Sequence, residues 1–285
     1  MIVITGATGA LNGATVNHLL ELTLATQVAV TVRDVTKAQR WVDRGVEVRY
    51  GDYADPGSLP GAFDGAKQLL LVSSNDPGAE AVSLHRNAIS AAVMAGVGRI
   101  LYTSHQGAGS ESPFRPARDH AATEQLLAES GVPWTALRNG FYAHSLSWLL
   151  GDWRETGVIS VPFDGPVSWT ARADAAEAAA VVLASEGGYD GPTTLTARSA
   201  PTFEDIATIA SEVIGRPVQS TVVGADAWIA AQVAGGANEF MARFSLGIYE
   251  AAHEGRFAGV DPLLSELLGR EPATVRDLLA QPAAR

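Results

Sequence analysis

The sequence predicts an α/β protein: a doubly wound parallel sheet in the amino-terminal half, followed by a smaller, mostly helical lobe. Three observations predict it. Six β-rich runs, at residues 2–5, 27–32, 46–50, 68–73, 99–104 and 134–138, alternate with helical stretches, the rhythm of strand–helix–strand units. The runs are apolar on both faces rather than alternating, as strands covered by helices on either side require. A glycine-bearing turn follows the first run directly and opens a helix, which is the Rossmann context.

The first half is read as residues 1–140, a dinucleotide-binding Rossmann domain. Residues 141–285 are read as the smaller substrate-capping lobe, interleaved with it across a soft boundary. Beyond residue 141 a Gly/Pro-punctuated stretch (157–166) leads into helices expected at 173–185, 202–214 and 225–255. The 285 residues suit one large domain or two unequal lobes.

Composition removes several classes of function. A formal charge of −11 opposes binding to phosphate backbones, so nucleic acid is not an expected partner. With no cysteine there is no thiol nucleophile, disulfide or Cys-ligated zinc, which fits a cytoplasmic setting. The six histidines are scattered without ligand spacing, and no metal site is expected. No run approaches the length of a membrane span, and no basic segment precedes Ile2, so neither a signal peptide nor a membrane association is expected. A monomer or homodimer is the expected state.

The turn reads Gly6-Ala7-Thr8-Gly9-Ala10-Leu11. Gly6 suits the tight turn and Gly9 lets backbone N–H groups approach a pyrophosphate at the helix amino terminus, where the dipole favours negative charge. Asn12 stands where a third glycine normally lets helix and strand pack, and Gly13 comes one residue late. After the second run, Arg33, Lys37 and Arg40 form a basic patch where an adenosine ribose would lie. Arg33 suits a 2′-phosphate, whereas Asp34 suits a free 2′-hydroxyl. The balance favours NADP(H) and leaves NAD(H) open. Ligands of such sheets bind outside the carboxyl ends of the strands, which nominates Asp52, Tyr53, Ser73, Ser74, Thr103 and Ser104.

With these motifs, the chain resembles the NmrA-like, atypical short-chain dehydrogenase group, and within it the bacterial NADPH:quinone oxidoreductases. The stretches that carry the resemblance are I-T-G-A-T-G-A-L at 4–11, V-R-D-V-T-K-A at 32–38, L-L-L-V-S-S at 69–74, Y-T-S at 102–104, H-A-A-T-E at 120–124, L-R-N-G-F-Y at 137–142 and T-A-R-A-D at 170–174. The resemblance implies a pyrophosphate on the 6–11 loop, Arg33 on the 2′-phosphate and Asp52 with Tyr53 on the adenine side. It places Ser73, Ser74, Tyr102, Thr103 and Ser104 toward the nicotinamide.

Ordinary members of the wider superfamily use Tyr-x-x-x-Lys, in which the lysine lowers the tyrosine pKa for proton exchange. No tyrosine here has a lysine four residues on, and Lys37 and Lys67 are the chain's only lysines. The expected activity is therefore hydride transfer from NAD(P)H to a quinone or similar conjugated aromatic carbonyl compound, carried by proximity and orientation. His120, Tyr142 and His105 are the candidates for proton assistance. His85, Arg86 and Asn87 are read as a solvated or interdomain stretch of helix, and Trp148, Trp153, Trp169 and Trp228 as core. Two alternatives stand beside this reading: a dinucleotide-sensing regulator without turnover, and a tailoring oxidoreductase acting on an aromatic secondary metabolite.

Overall fold

The computed structural model describes residues 1–74, 80–185 and 187–281. Six strands, β1 (Ile2–Thr5), β2 (Val28–Val32), β3 (Glu47–Tyr50), β4 (Gln68–Leu71), β5 (Arg99–His105) and β6 (Trp134–Asn139), fall where the apolar runs predict them. Between them lie α1 (Ala10–Leu22), α2 (Gln39–Val42), α3 (Leu59–Phe63), α4 (Ala81–Met94) and α5 (Arg115–Glu129). The remaining elements, in chain order, are α6 (Leu146–Leu149), α7 (Trp153–Thr156), β7 (Val158–Val161), α8 (Arg172–Ala184), β8 (Gly191–Leu195), α9 (Phe203–Ile214), β9 (Gln219–Val222), α10 (Ala225–Ala234), α11 (Glu239–His253), α12 (Leu263–Leu268) and α13 (Val275–Leu279).

The main sheet has strand order β3-β2-β1-β4-β5-β6-β8 and every pair is parallel. The order reverses between β1 and β4, and such a switch point opens a crevice at the carboxyl ends of the strands. One face is covered by α1 and α8, whose Val16, Leu19, Ala179 and Leu183 pack against Ile4, Val30 and Leu137. The other is covered by α3, α4 and α5, with Phe63, Ala88 and Leu127 against Val3, Leu69 and Tyr102. Strands buried on both faces need the continuous apolar runs that the sequence carries.

Two elements differ from the sequence reading. The sheet draws a seventh strand, β8, and the covering helix α8 from beyond residue 140. The strand begins Gly-Pro-Thr-Thr, and its proline is tolerated because β8 is an edge strand. The helix expected over 225–255 is broken in two. Gly235 closes α10, Gly236 takes φ 93°, and the Asn238 side chain accepts from the Phe240 amide to start α11. A small parallel pair, β7 with β9, and the helices around it enclose a separate aromatic core containing Phe141, Trp153, Trp169, Phe203, Trp228, Tyr249 and Phe257.

Candidate active site

The glycine turn is built as its chemistry demands. Gly6 adopts φ 64°, and a Cβ there would lie 2.7 Å from Val72 Cγ1. Gly9 is the N-cap of α1 and has no side chain to satisfy the first N–H groups, and no acidic residue lies in the first turn. Thr8, Gly9 and Ala10 are exposed, while Ala7 is buried and Leu11 half-buried beneath them. Uncapped amides at the positive end of a 13-residue helix, reachable from solvent, fit an anionic diphosphate.

The close-packing glycine is Gly13. A Cβ there would lie 2.9 Å from the Ala7 carbonyl oxygen and 2.7 Å from Arg40 Nη2. Asn12 is buried and folds back to donate from Nδ2 to the Thr5 carbonyl at 2.7 Å. The one-residue displacement that looks like a weakened motif in the sequence is thus accommodated. Arg40 donates to the Ala7 carbonyl at 3.1 Å and lies over the Trp41 ring, so it braces the loop.

At the end of β2, Arg33 is exposed. Asp34 is engaged locally: it accepts from the Thr36 amide (3.0 Å) and hydroxyl (2.6 Å) and lies 3.6 Å from Lys37 Nζ. The Thr36 hydrogen bonds hold its carboxyl below the usual range. It remains an anion that caps the turn at 35–38 beside Lys37.

Beyond β3, Asp52 accepts from the Ala54 amide. The Tyr53 hydroxyl reaches under the sheet to Thr5 Oγ1 (2.7 Å) and donates to the Val72 carbonyl (3.2 Å), so only its ring edge and backbone border the crevice. Burial pushes that phenol's pKa up. After β4, the Ser73 amide donates to Thr103 Oγ1 and the Ser74 amide to His85 Nε2, both at 2.8 Å.

His85 is a correction to the sequence reading: it is fully buried. Because Nε2 accepts from Ser74, Nδ1 carries the proton and donates to Thr123 Oγ1 at 2.8 Å, and that hydroxyl donates to the Asp119 carbonyl. Asn87 is also engaged, donating from Nδ2 to the Tyr53 carbonyl at 2.9 Å. The signal was present in the sequence, since His85 shares a helical stripe with Ala88, Ile89 and Ala92, all buried.

Of the proton-assistance candidates, His105 and His120 are brought together, while Tyr142 makes its contacts with Asn139 and His144. The Tyr102 hydroxyl meets His120 Nδ1 at 2.8 Å. His120 stacks on His105 with centroids 6.0 Å apart, and His105 is walled by Phe114, Phe141 and Phe257. His105 Nδ1 accepts from the Gly107 amide, which fixes the proton on Nε2, and that N–H is buried without a partner among the described residues. Tyr142 accepts from Asn139 Nδ2 at 3.2 Å, and Asn139 Oδ1 is likewise buried and unpaired. Ser104 donates to Glu124 Oε1 at 2.6 Å, and Arg138 grips the same carboxylate through Nε (3.0 Å) and Nη2 (2.5 Å). Sequence reasoning missed this ion pair, which lies on facing positions of α5 and β6 with no motif spacing to mark it.

Burial holds His85 and His105 at about 4, and burial reinforced by His105 and His85 holds His120 well below its ordinary value. Burial pushes Tyr102 up and Tyr142 up to about 12. All five rings are therefore neutral at pH 7. For the histidines the folded pKa lies below the unfolded 6.5, so their stabilising contribution is complete above about pH 6.5 and is lost as pH falls toward 4. The urea midpoint should fall over that window, and His105→Leu should flatten the fall. An unchanged slope in that variant would contradict the buried neutral state.

The chain's similarity to known proteins accords with this geometry. It is 36% identical to quinone oxidoreductase 2 of Escherichia coli over 279 residues, covering 97% of this chain and 96% of the relative. It is 29% identical to the NAD(P)H azoreductase of Xenophilus azovorans over 285 residues, covering 100% of this chain and 98% of the relative. The crystal structure of the NADPH-dependent E. coli quinone oxidoreductase complexed with NADPH superposes with a TM-score of 0.91 at 34% identity, covering 98% of this chain and 99% of that one. The Citrobacter sp. triphenylmethane reductase complexed with NADP(H) gives 0.88 at 34%, each chain covered completely. The model of the NmrA-like family matches residues 1–246, and the chain belongs to that family.

Proposed function

We propose that this protein is an NADPH-dependent reductase of quinones or similar flat, conjugated acceptors. The observation that carries the reading is the cluster beside the ends of β5 and β6, where His120 meets the Tyr102 hydroxyl and stacks on His105, and where burial holds both histidines below their ordinary values and the Tyr102 and Tyr142 phenols above theirs. A ketone reductase needs a general acid with a pKa near the working pH. A quinone does not, because the charge that develops on reduction spreads over an aromatic ring. The names of the similar proteins, reductases of a quinone, an azo compound and a triphenylmethane, support a conjugated acceptor.

In this reading Gly6, Ala7, Thr8, Gly9, Ala10 and Leu11 cradle the pyrophosphate, Arg33 binds the 2′-phosphate, and Asp52 with Tyr53 flanks the adenine. Ser73, Ser74, Tyr102, Thr103 and Ser104 border the nicotinamide. When bound, NADPH supplies the hydride. His105 Nε2–H and the Tyr142 hydroxyl act as neutral hydrogen-bond donors to the oxygen that gains charge, and His120 orients the Tyr102 hydroxyl. Phe114, Phe141 and Phe257 exclude water from that oxygen.

The test is a fluorescence titration with NADPH and NADH, followed by cofactor absorbance with a quinone panel. NADPH should bind more tightly, and a quinone should drive its oxidation. Arg33→Ala should weaken NADPH about tenfold to thirtyfold, the worth of one or two charge-assisted hydrogen bonds, and leave NADH unchanged. Equal loss for both cofactors would remove Arg33 from the 2′-phosphate. Cofactor binding with no turnover on any acceptor would favour the sensing reading.

A further inference from the structure

The capping lobe carries a cavity that the hydride-transfer reading does not use. It lies between α6–β7 and the α10–α11 hairpin, with a volume of about 320 Å³, within the range of small-molecule sites. Its walls include Trp148, Trp228, Tyr249, Leu150 and Val158. The Trp228 indole N–H donates to the Ser160 carbonyl and the Tyr249 hydroxyl to the Leu149 carbonyl. With their polar hydrogens engaged by backbone, the two rings meet edge to face, 5.3 Å apart at 68°. Trp228 is 5% exposed and Tyr249 is fully buried, so these two rings form the floor, and the ring surface open to a ligand is that of Trp148. Trp148 departs from the expectation that the tryptophans are core: it is 49% exposed, against 5%, 1% and 5% for Trp153, Trp169 and Trp228.

Asp152 is the one charged residue in the lining. Its carboxylate has no hydrogen bond or ion pair among the described residues. The arginines of this region are turned elsewhere: Arg154 lies over the Trp153 ring and donates to the Leu279 carbonyl, and Arg216 donates to the Arg154 carbonyl. The cavity is separated from the crevice by a buried file of rings, Tyr249 to Phe203 (5.2 Å), Phe203 to Trp169 (5.9 Å) and Trp169 to Phe141 (5.4 Å).

We propose that this cavity is a second ligand site, distinct from the dinucleotide crevice, which takes a small organic cation of the alkylated ammonium kind. The exposed Trp148 ring attracts such a cation through its quadrupole, and the Asp152 carboxylate supplies the counter-charge. An anion would meet Asp152 and a net charge of −11. An occupant would bridge α6 and the α10–α11 hairpin.

The test is isothermal titration of the intact protein with choline, with benzyltrimethylammonium, and with the neutral isostere of choline in which carbon replaces nitrogen. A cation should bind saturably, with the isostere about tenfold weaker or more. Asp152→Asn and Trp148→Ala should each weaken the cation about fivefold to tenfold, while leaving NADPH affinity and quinone turnover unchanged. Both side chains are exposed, so the variants should fold. Failure of both cations to bind, equal binding of the isostere, or competition with NADPH or quinone would each overturn the proposal.

Discussion

Replacing Gly6 with alanine should weaken NADPH binding about 100-fold. Two costs combine. The left-handed backbone at φ 64° costs an L-residue about 1–2 kcal/mol. The new Cβ would also sit 2.7 Å from Val72 Cγ1, a β-branched side chain just past β4 with few rotamers to retreat into. The loop must shift, and about 2.7 kcal/mol of displaced hydrogen bonding corresponds to that factor in affinity. A fluorescence titration with NADPH reads the loss. Unchanged affinity would mean that the 6–11 loop does not hold the cofactor.

Replacing Glu124 with leucine should cost about 2–3 kcal/mol of stability. Breaking a fully buried pair costs about 3–5 kcal/mol because the remaining charge is left uncompensated. Glu124 is buried, but the Arg138 side chain is 28% exposed and recovers some hydration, which lowers the figure. Set against a typical total of about 5–15 kcal/mol, that is a large fraction. It corresponds to a fall in melting temperature of about 5–10 °C for a chain of this size. Ser104, which donates to the same carboxylate, would be released in the variant, so turnover should fall further than folding accounts for. A melting temperature within a degree of the parent would show that the pair contributes nothing net.

How far the sequence could be read depended on whether a feature was local. The six strands of the first half were legible because each is an uninterrupted apolar run, and the glycine turn because its residues are consecutive. The strand β8 was not, since Gly191, Pro192, Thr193 and Thr194 read as a loop and become a strand only by pairing with β6. Gly13 and Asn12 exchange their usual roles through contacts with Ala7 and Thr5, which only the folded turn shows. His85 was hidden by its polarity. Its place on the apolar stripe of α4 outweighs its side-chain chemistry, and the Ser74 amide and Thr123 hydroxyl satisfy both ring nitrogens. Glu124 and Arg138 are joined by tertiary packing of α5 on the sheet. Trp148 was misread because a short helix at the edge of the lobe leaves one indole outside.

The stacking of His120 on His105 was legible only as separate residues near strand ends. The wall around His105 is built by Phe114, Phe141 and Phe257, which come from three distant parts of the chain.

The central claim is that hydride passes directly from bound NADPH to a conjugated acceptor, without a titrating protein acid. It is tested most directly by a single-turnover experiment with NADPH deuterated at the transferred position, mixed with excess quinone and followed by cofactor absorbance across pH 6 to 8. Complete oxidation of the bound cofactor is expected, with a primary isotope effect on its rate and a rate flat with pH over that range. A bound cofactor that survives every acceptor, or a rate that follows a single ionisation near pH 7, would contradict it.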